Sequence, residues 1–236
     1  FSTYIREKTN CSVLRDADAE ADDLIARWIA LHPTDEHVII SSDSDFYQLI
    51  TKNVTQFNGI TDNLITLEGI YDAKGKQVID KKTKEPKLLG DPEWLLFEKC
   101  MRGDSSDNVF SAYPGVRKKG TKNKVGLLEA FEDRRSKGYA WNNMMLQRWT
   151  DHNGAEHRVL DDYNRNKELI DLTAMPNEIK DRVDLAIITQ LTNKDVGQVG
   201  SKFLKFCGKY ELTRLSDNAE QYGRWLNQTY QGALKQ

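Results

Sequence analysis

The chain has 236 residues, enough for one large domain or two small ones with a sizeable buried core. Charged residues make up 30%, yet five Trp, nine Tyr and eight Phe exclude a disordered polar chain. A net charge of -2 excludes a uniformly basic protein, and no apolar run approaches a membrane span or follows a signal-peptide pattern.

From the amino end, residues 12–14 read as the close of a short strand. From Glu20 onward Leu24, Ile25, Trp28, Ile29 and Leu31 recur at helical spacing until Pro33. "HVIISS" (37–42) is a short apolar run suited to a strand buried on both faces. "DFYQLI" reads as a helical turn or two, and 54–57 as another strand. Strand, helix and strand in alternation predict an α/β fold with a mostly parallel central sheet. Residues 63–90 read as a hairpin or insertion containing the solvated charge run "DKKTKEPK". "DPEWLLFEKCM" is helical in period, with Asp91 as cap and Pro92 at the first helical position. Beyond residue 107 the periodic segments, about 122–135, 141–151, 156–171, 176–191 and 199–208, all read as helices. The expected organisation is an α/β core over 1–107 and an all-helical region over 108–236. Cys11, Cys100 and Cys207 lack metal or redox spacing, which points to reduced thiols in a cytoplasmic protein.

Acids gather in three places. Asp43 and Asp45 follow the apolar run, at the carboxyl end of a strand, where open α/β sheets place their sites. Asp45 with Gln48 also fits a helix-capping pattern, which leaves Asp43 unexplained. In "EADD", Glu20 and Asp23 share a flank of the helix and Asp22 lies on the other, so the three converge only if this helix aims its amino end at the site; first-turn acids also suit the helix dipole. In "RGDSSDN", Asp104 and Asp107 lie one turn apart, and a polar Asp-capped turn is the plainer reading. Seven carboxylates brought together need cations to offset their repulsion. An all-oxygen set favours Mg²⁺, and two ions about 4 Å apart clamp a phosphodiester. His32, His37, His152 and His157 have no partners at zinc spacing.

"VFSAYPGVRKKGTKNKVGLL" (109–128) carries Arg117, Lys118, Lys119, Lys122 and Lys124 and no acid. Around the turn at Gly115, backbone N–H groups and these side chains compose a phosphate grip that reads charge and shape more than bases. A solvated loop is the alternative.

With these residues in view, the chain resembles the flap-endonuclease superfamily of 5′ nucleases, its phage ribonuclease H branch above all. "EADD" (20–23), "SSDSDFYQLI" (41–50) and "GDSSDN" (103–108) match that family's ordered motifs, "PGVRKKGTKNK" stands where it has a helix-turn-helix grip on duplex DNA (about 108–135), and "YNRNKELIDLTAMPNEI" (163–179) is similar to its carboxyl-terminal helices. The resemblance implies a PIN-like fold and a 5′–3′ nuclease acting on RNA·DNA hybrids, flaps or nicked duplexes in DNA replication. It implies two Mg²⁺ ions, with Mn²⁺ able to substitute. Glu20, Asp22, Asp23 and Asp43 match ligands of the first ion, and Asp45, Asp104 and Asp107 those of the second, with Asp43 and Asp45 as the expected catalytic pair. DNA, hybrid duplex and replication proteins such as a single-strand-binding protein or clamp are the implied partners of a monomer.

The sequence departs from the family in two ways. The family's first strand with its Asp, and its basic arch, are not found before Phe1, so the fold is expected to be incomplete there and the 236 residues alone to cut poorly. The grip has "GVRKKG" in place of the usual Gly-hydrophobic-Gly. Two other readings compete. A haloacid-dehalogenase-type phosphatase would use Asp43 as nucleophile and Asp45 as acid/base, but needs a strand before Asp104. A nucleic-acid-binding module that does not cut is the other.

Overall fold

The computed structural model describes residues 1–191 and 194–229. In chain order it contains α1 (Ser2–Lys8), α2 (Ala21–Leu31), β1 (His37–Ile40), a 3₁₀ helix (Ser44–Leu49), β2 (Val54–Asn58), β3 (Asn63–Ile65), β4 (Ile70–Tyr71) and α3 (Pro92–Arg102). There follow α4 (Leu127–Glu132), α5 (Tyr139–Met145), β5 (Arg148–Thr150), β6 (Glu156–Arg158), α6 (Val159–Ile170), α7 (Asn177–Leu191), α8 (Val199–Lys209), α9 (Thr213–Ser216) and α10 (Ala219–Asn227). The chain divides into two compact units, Glu36–Met175 and Phe1–Asp35 with Pro176–Gln236. The expected division at residue 107 does not coincide with these units.

In the Glu36–Met175 unit the sheet has the order β1-β2-β3-β4. β1 and β2 pair in parallel, Ile39 opposite Gln56, whereas β2–β3 and β3–β4 are antiparallel. The expected mostly parallel sheet is therefore mixed. The reason is connection length: a parallel return needs a crossover of about a dozen residues, and only residues 59–62 separate β2 from β3. Ile50, Ile65, Ile70 and Leu89 form a small core between the sheet and the 3₁₀ helix's end, with Tyr47, Val78 and Leu95 packed against it.

α3 starts as its sequence dictates. The Asp91 carboxylate accepts the Glu93 N–H at 2.9 Å, and Pro92 occupies the first turn. It stops at Gly103, whose φ of 75° and close approach require glycine: a Cβ there would lie 2.3 Å from the Val109 carbonyl oxygen. Phe97 and Met101 of α3 enter the main core with Leu127, Phe131, Met144 and Val159. The region beyond 107 is not all-helical. Residues 148–158 form a β hairpin, which Asn153-Gly154 turns with Gly154 at φ 85°. Trp149 anchors it, stacking on His157 and donating to the Ala112 carbonyl at 2.8 Å.

In the other unit, residues 12–14 are not a strand, and α1, unforeseen, packs Tyr4 beside Phe203 and Cys207. The Arg27 guanidinium binds Asp184 in a two-pronged pair at 2.8 and 2.7 Å, joining α2 to α7. α8 and α10 approach so closely that a Cβ on Gly223 would lie 2.8 Å from the Gly200 Cα. No described helix is long and apolar enough to cross a membrane.

Candidate metal and nucleic-acid site

Two loops of the Glu36–Met175 unit carry the acids. The first leaves β1 at Ser41. Asp43 caps the 3₁₀ helix, its carboxylate accepting the Asp45 N–H at 2.9 Å. The second loop follows α3. Asp104 and Val109 exchange two backbone hydrogen bonds of 2.8 Å, and the Asp104 carboxylate accepts the Ser106 N–H at 2.9 Å. A buried Asn166 on α6 fixes this loop from below, donating to the carbonyls of Cys100 at 2.8 Å and Phe110 at 2.6 Å.

Asp45, Asp104 and Asp107 meet: each offers a carboxylate oxygen, and these oxygens all lie within 4.8 Å of one another. Lys99 of α3 reaches the same place and pairs with both Asp45 and Asp104. Burial opposes its charge, but hydrogen bonds to Asp104 and Asp45 outweigh this and raise the Lys99 ammonium above the ordinary lysine value. Lys99, then the Ser106 hydroxyl, hold the Asp104 carboxyl far below the usual carboxylate range. Asp107 goes the other way: burial first, then the negative charges of Asp104 and Asp45, push it up. Three carboxylates thus face one ammonium, and the place is electronegative. The donors are all oxygens, which suits a hard dication such as Mg²⁺ or Ca²⁺ and not a thiolate- or imidazole-bound metal. The ammonium already among them shows that the spot accepts positive charge.

Of the other expected acids, Asp43 lies outside this group and acts as the cap just described. Glu20, Asp22 and Asp23 stand at the start of α2, in the other unit. There the Asp23 carboxylate accepts the Glu20 N–H at 3.0 Å, and that of Asp22 accepts the Asp23 N–H at 3.1 Å, as first-turn acids do. The phosphatase reading fails on one requirement: α3 is helical through Arg102, so no strand leads into Asp104. Lys99 is the residue that motif reading missed. Its signal was faint, a cation on the flank of an apolar helix face one turn and a half before Asp104.

The basic stretch folds as irregular turns ahead of α4. No helix lies between α3 and α4, so the helix-turn-helix expected over about 108–135 is not seen: that span holds a long loop and the short α4. Glu129 closes the loop, accepting the N–H of Gly120 at 3.1 Å and of Gly126 at 3.1 Å. Hydrogen bonds, its own N–H first and then those of Gly120 and Gly126, hold this carboxyl below its ordinary value. Backbone groups thereby occupy the Glu129 carboxylate. Gly115 takes φ 80°, and Arg117, Lys118, Lys119, Lys122 and Lys124 are all exposed. Lys118 pairs with Glu98 at 3.6 Å and lies over Trp94. Among the described residues the other four have no carboxylate within ion-pair reach. Tyr113, Arg117, Thr121, Lys124 and Asn143 help to line an adjoining groove of about 520 Å³.

No family model matches the chain. Over 134 residues it is 34% identical to a 5′-3′ exonuclease of Buchnera aphidicola subsp. Schizaphis graminum, covering 55% of this chain and 39% of that protein. It is 31% identical over 134 residues to DNA polymerase I of Rhizobium leguminosarum, covering 55% and 11%. With flap endonuclease Xni of Shewanella frigidimarina it shares 33% over 119 residues, covering 49% and 39%. The matches span well under half the length of these relatives. A mutant T5 5′-exonuclease and the T5 D15 protein co-crystallised with metal ions are each 20% identical, cover 75% of this chain and 68% and 63% of theirs, and give TM-scores of 0.45 and 0.44. Over about half its length, then, the chain is similar in sequence to 5′ nucleases, and the matched relatives include an exonuclease and a flap endonuclease.

Proposed function

We propose that this protein is a divalent-metal-dependent 5′–3′ nuclease, hydrolysing phosphodiesters at the 5′ ends of RNA·DNA hybrids, flaps or nicked duplexes, as in primer removal during DNA replication. The observation that carries the reading is the Asp45, Asp104 and Asp107 cluster, an excess of carboxylate over cation at the mouth of two adjoining loops. The names of the sequence relatives, an exonuclease and a flap endonuclease, support the reaction class. When bound, Mg²⁺ or Mn²⁺ supplies an activated water and positive charge against the phosphate.

The chain's own residues divide the remaining work. Asp45, Asp104 and Asp107 hold one ion; Asp43 and, in the other unit, Glu20, Asp22 and Asp23 are the remaining acids proposed as metal ligands. Gly115, Arg117, Lys118, Lys119, Lys122 and Lys124 grip duplex phosphate and set its register, with little base preference. A monomer in the cytoplasm, a host's if phage-encoded, working beside a single-strand-binding protein or a clamp, completes the reading.

The test is cleavage of 5′-labelled flap, nicked DNA and nicked hybrid substrates, with Mg²⁺ and with EDTA. Products released from the 5′ end by the wild type, and lost in Asp104→Asn with duplex binding retained, are expected. Undiminished cleavage by Asp104→Asn refutes the assignment. Tight duplex binding by a wild type that cuts under no metal condition selects the non-cutting module instead.

A further inference from the structure

Gln56 is the one polar side chain of β2 turned fully inward, with 0% of its surface exposed. Burying a carboxamide costs free energy unless it is hydrogen-bonded. Both its bonds go to one place. Nε2 donates to the Ser41 carbonyl at 2.8 Å and to the Asp43 carbonyl at 2.7 Å. Oε1 has no hydrogen-bond partner. The two carbonyls determine which way the amide faces, since the opposite orientation would set oxygen against oxygen.

The place matters because it is where the chain leaves the sheet. The parallel ladder's last bond joins the Ser41 N–H to the Phe57 carbonyl at 3.1 Å. Beyond it no strand partner steers Ser42 and Asp43, whose side chains are exposed. Gln56 takes over from the ladder across this gap. Fixing the Asp43 carbonyl fixes the peptide plane of Asp43, whose carboxylate then caps the Asp45 N–H, and Asp45 belongs to the acid cluster.

We infer that Gln56 is a positioning residue for the metal-binding acids: its two amide hydrogens, held in the core, set the loop that presents Asp43 and Asp45. The inference rests on the metal-nuclease reading. A donor is essential and bulk is not enough, so an apolar side chain of similar size should fold yet bind ions poorly. Groups that orient metal ligands from behind typically change affinity by about 10- to 100-fold.

The experiment compares the wild type, Gln56→Met and Asp104→Asn by Mn²⁺ titration followed by electron paramagnetic resonance, with circular dichroism and melting to verify the fold. Gln56→Met is expected to weaken Mn²⁺ binding about tenfold and to raise the Mg²⁺ level for half-maximal cleavage by the same factor, with the KM for duplex unchanged. A purely structural role would alter melting or the active fraction without moving Mn²⁺ affinity. Folded Gln56→Met with wild-type Mn²⁺ affinity, while Asp104→Asn loses binding, overturns the role of Gln56 and leaves the nuclease reading standing. A wild type that binds no Mn²⁺ overturns both. Should Gln56→Met not fold, nuclear magnetic resonance of the wild type decides: the Gln56 side-chain amide signals should be protected from solvent exchange and shift with the Asp43 and Asp45 amides as Mg²⁺ is added. Amide signals that exchange freely or stay still overturn the inference.

Discussion

Replacing Asn166 by Leu tests how the second acid loop is held. The side chain is fully buried, and its Nδ2 supplies hydrogen bonds to Cys100 at 2.8 Å and Phe110 at 2.6 Å. The Cys100 carbonyl is one of the last four of α3, which have no partner within the helix. The next carbonyl, of Met101, is already served by the Ala112 N–H and the Ser111 hydroxyl, so neither of those is free to substitute. Leucine has nearly the same volume, and the change therefore isolates the hydrogen bonds. A buried acceptor left unpaired costs about 1–3 kcal/mol. The Cys100 carbonyl should cost the upper part of that range, and that of Phe110, an exposed residue, the lower. Their sum is about 3–4 kcal/mol, partly offset by the apolar gain of leucine. For a unit of this size that corresponds to a melting point lower by about 10 °C. Urea unfolding followed by fluorescence reports on this unit through Trp94, Trp141 and Trp149. A loss below about 1 kcal/mol would show that the loop keeps its own shape and that Asn166 does not hold it.

Lys99→Met removes the ammonium that competes with an incoming dication for Asp45 and Asp104, so Mn²⁺ should bind about tenfold more tightly, or about 1.4 kcal/mol; weaker binding in paramagnetic resonance titrations would mean that Lys99 assembles the site instead. In the basic loop, Lys118→Ala with Lys119→Ala should lower the slope of log affinity against log salt by about 1.8, equally for all duplex sequences, and an unchanged slope in filter-binding or anisotropy measurements would remove these lysines from the phosphate grip. Asp16 offers a pH test: the Arg182 side chain first, then the Asp18 N–H, hold its carboxyl down to about 2 from an ordinary 3.8. Because the folded value is the lower one, its contribution to stability is complete above the ordinary value and is lost as pH falls toward 2. Carboxyl-carbon titration by nuclear magnetic resonance should find this low midpoint, and Arg182→Gln should return it to the ordinary range; a wild-type midpoint near the ordinary value refutes the pairing.

Much of the site was legible because its signals are local. An apolar run ending in Asp43 and Asp45, and a capped helix ending in Gly103 before Asp104, place acids at element ends, and the folded chain brings Asp45, Asp104 and Asp107 together. The start of α3 follows from Asp91 and Pro92 alone. What escaped depends on geometry that residue types do not encode singly. The antiparallel direction of β3 is not carried by the strand–helix–strand alternation of residues 37–57; the short 59–62 connection imposes it. The β5–β6 hairpin was lost to helical period around Trp141 and Leu146, which outweighed Asn153-Gly154. α1 has seven residues and no side-chain cap, too little pattern to read. Lys99 and Gln56 become meaningful only when α3 and β2 are placed beside the acid loops. The cap falls on a different acid than the sequence suggested: Asp43, not Asp45 with Gln48, caps the 3₁₀ helix, and that cap aims Asp45.

The supports of the two acid loops have a common chemistry. The loop after β1 hangs on Gln56, and the loop after α3 on Asn166; both are buried, both are neutral, and both act through N–H donors on backbone carbonyls. A lysine or arginine could make the same hydrogen bonds, but would place a permanent charge beside carboxylates that must stay available to cations, as the pairing of Lys99 with Asp45 and Asp104 illustrates. An aspartate or glutamate would set oxygen against oxygen and add to the repulsion that raises Asp107. Amides fix the shape without altering the charge. On the proposed metal-binding reading, the electronegativity of the cluster is then left for a mobile cation to satisfy, and such a site needs its geometry held by groups that do not compete for ions.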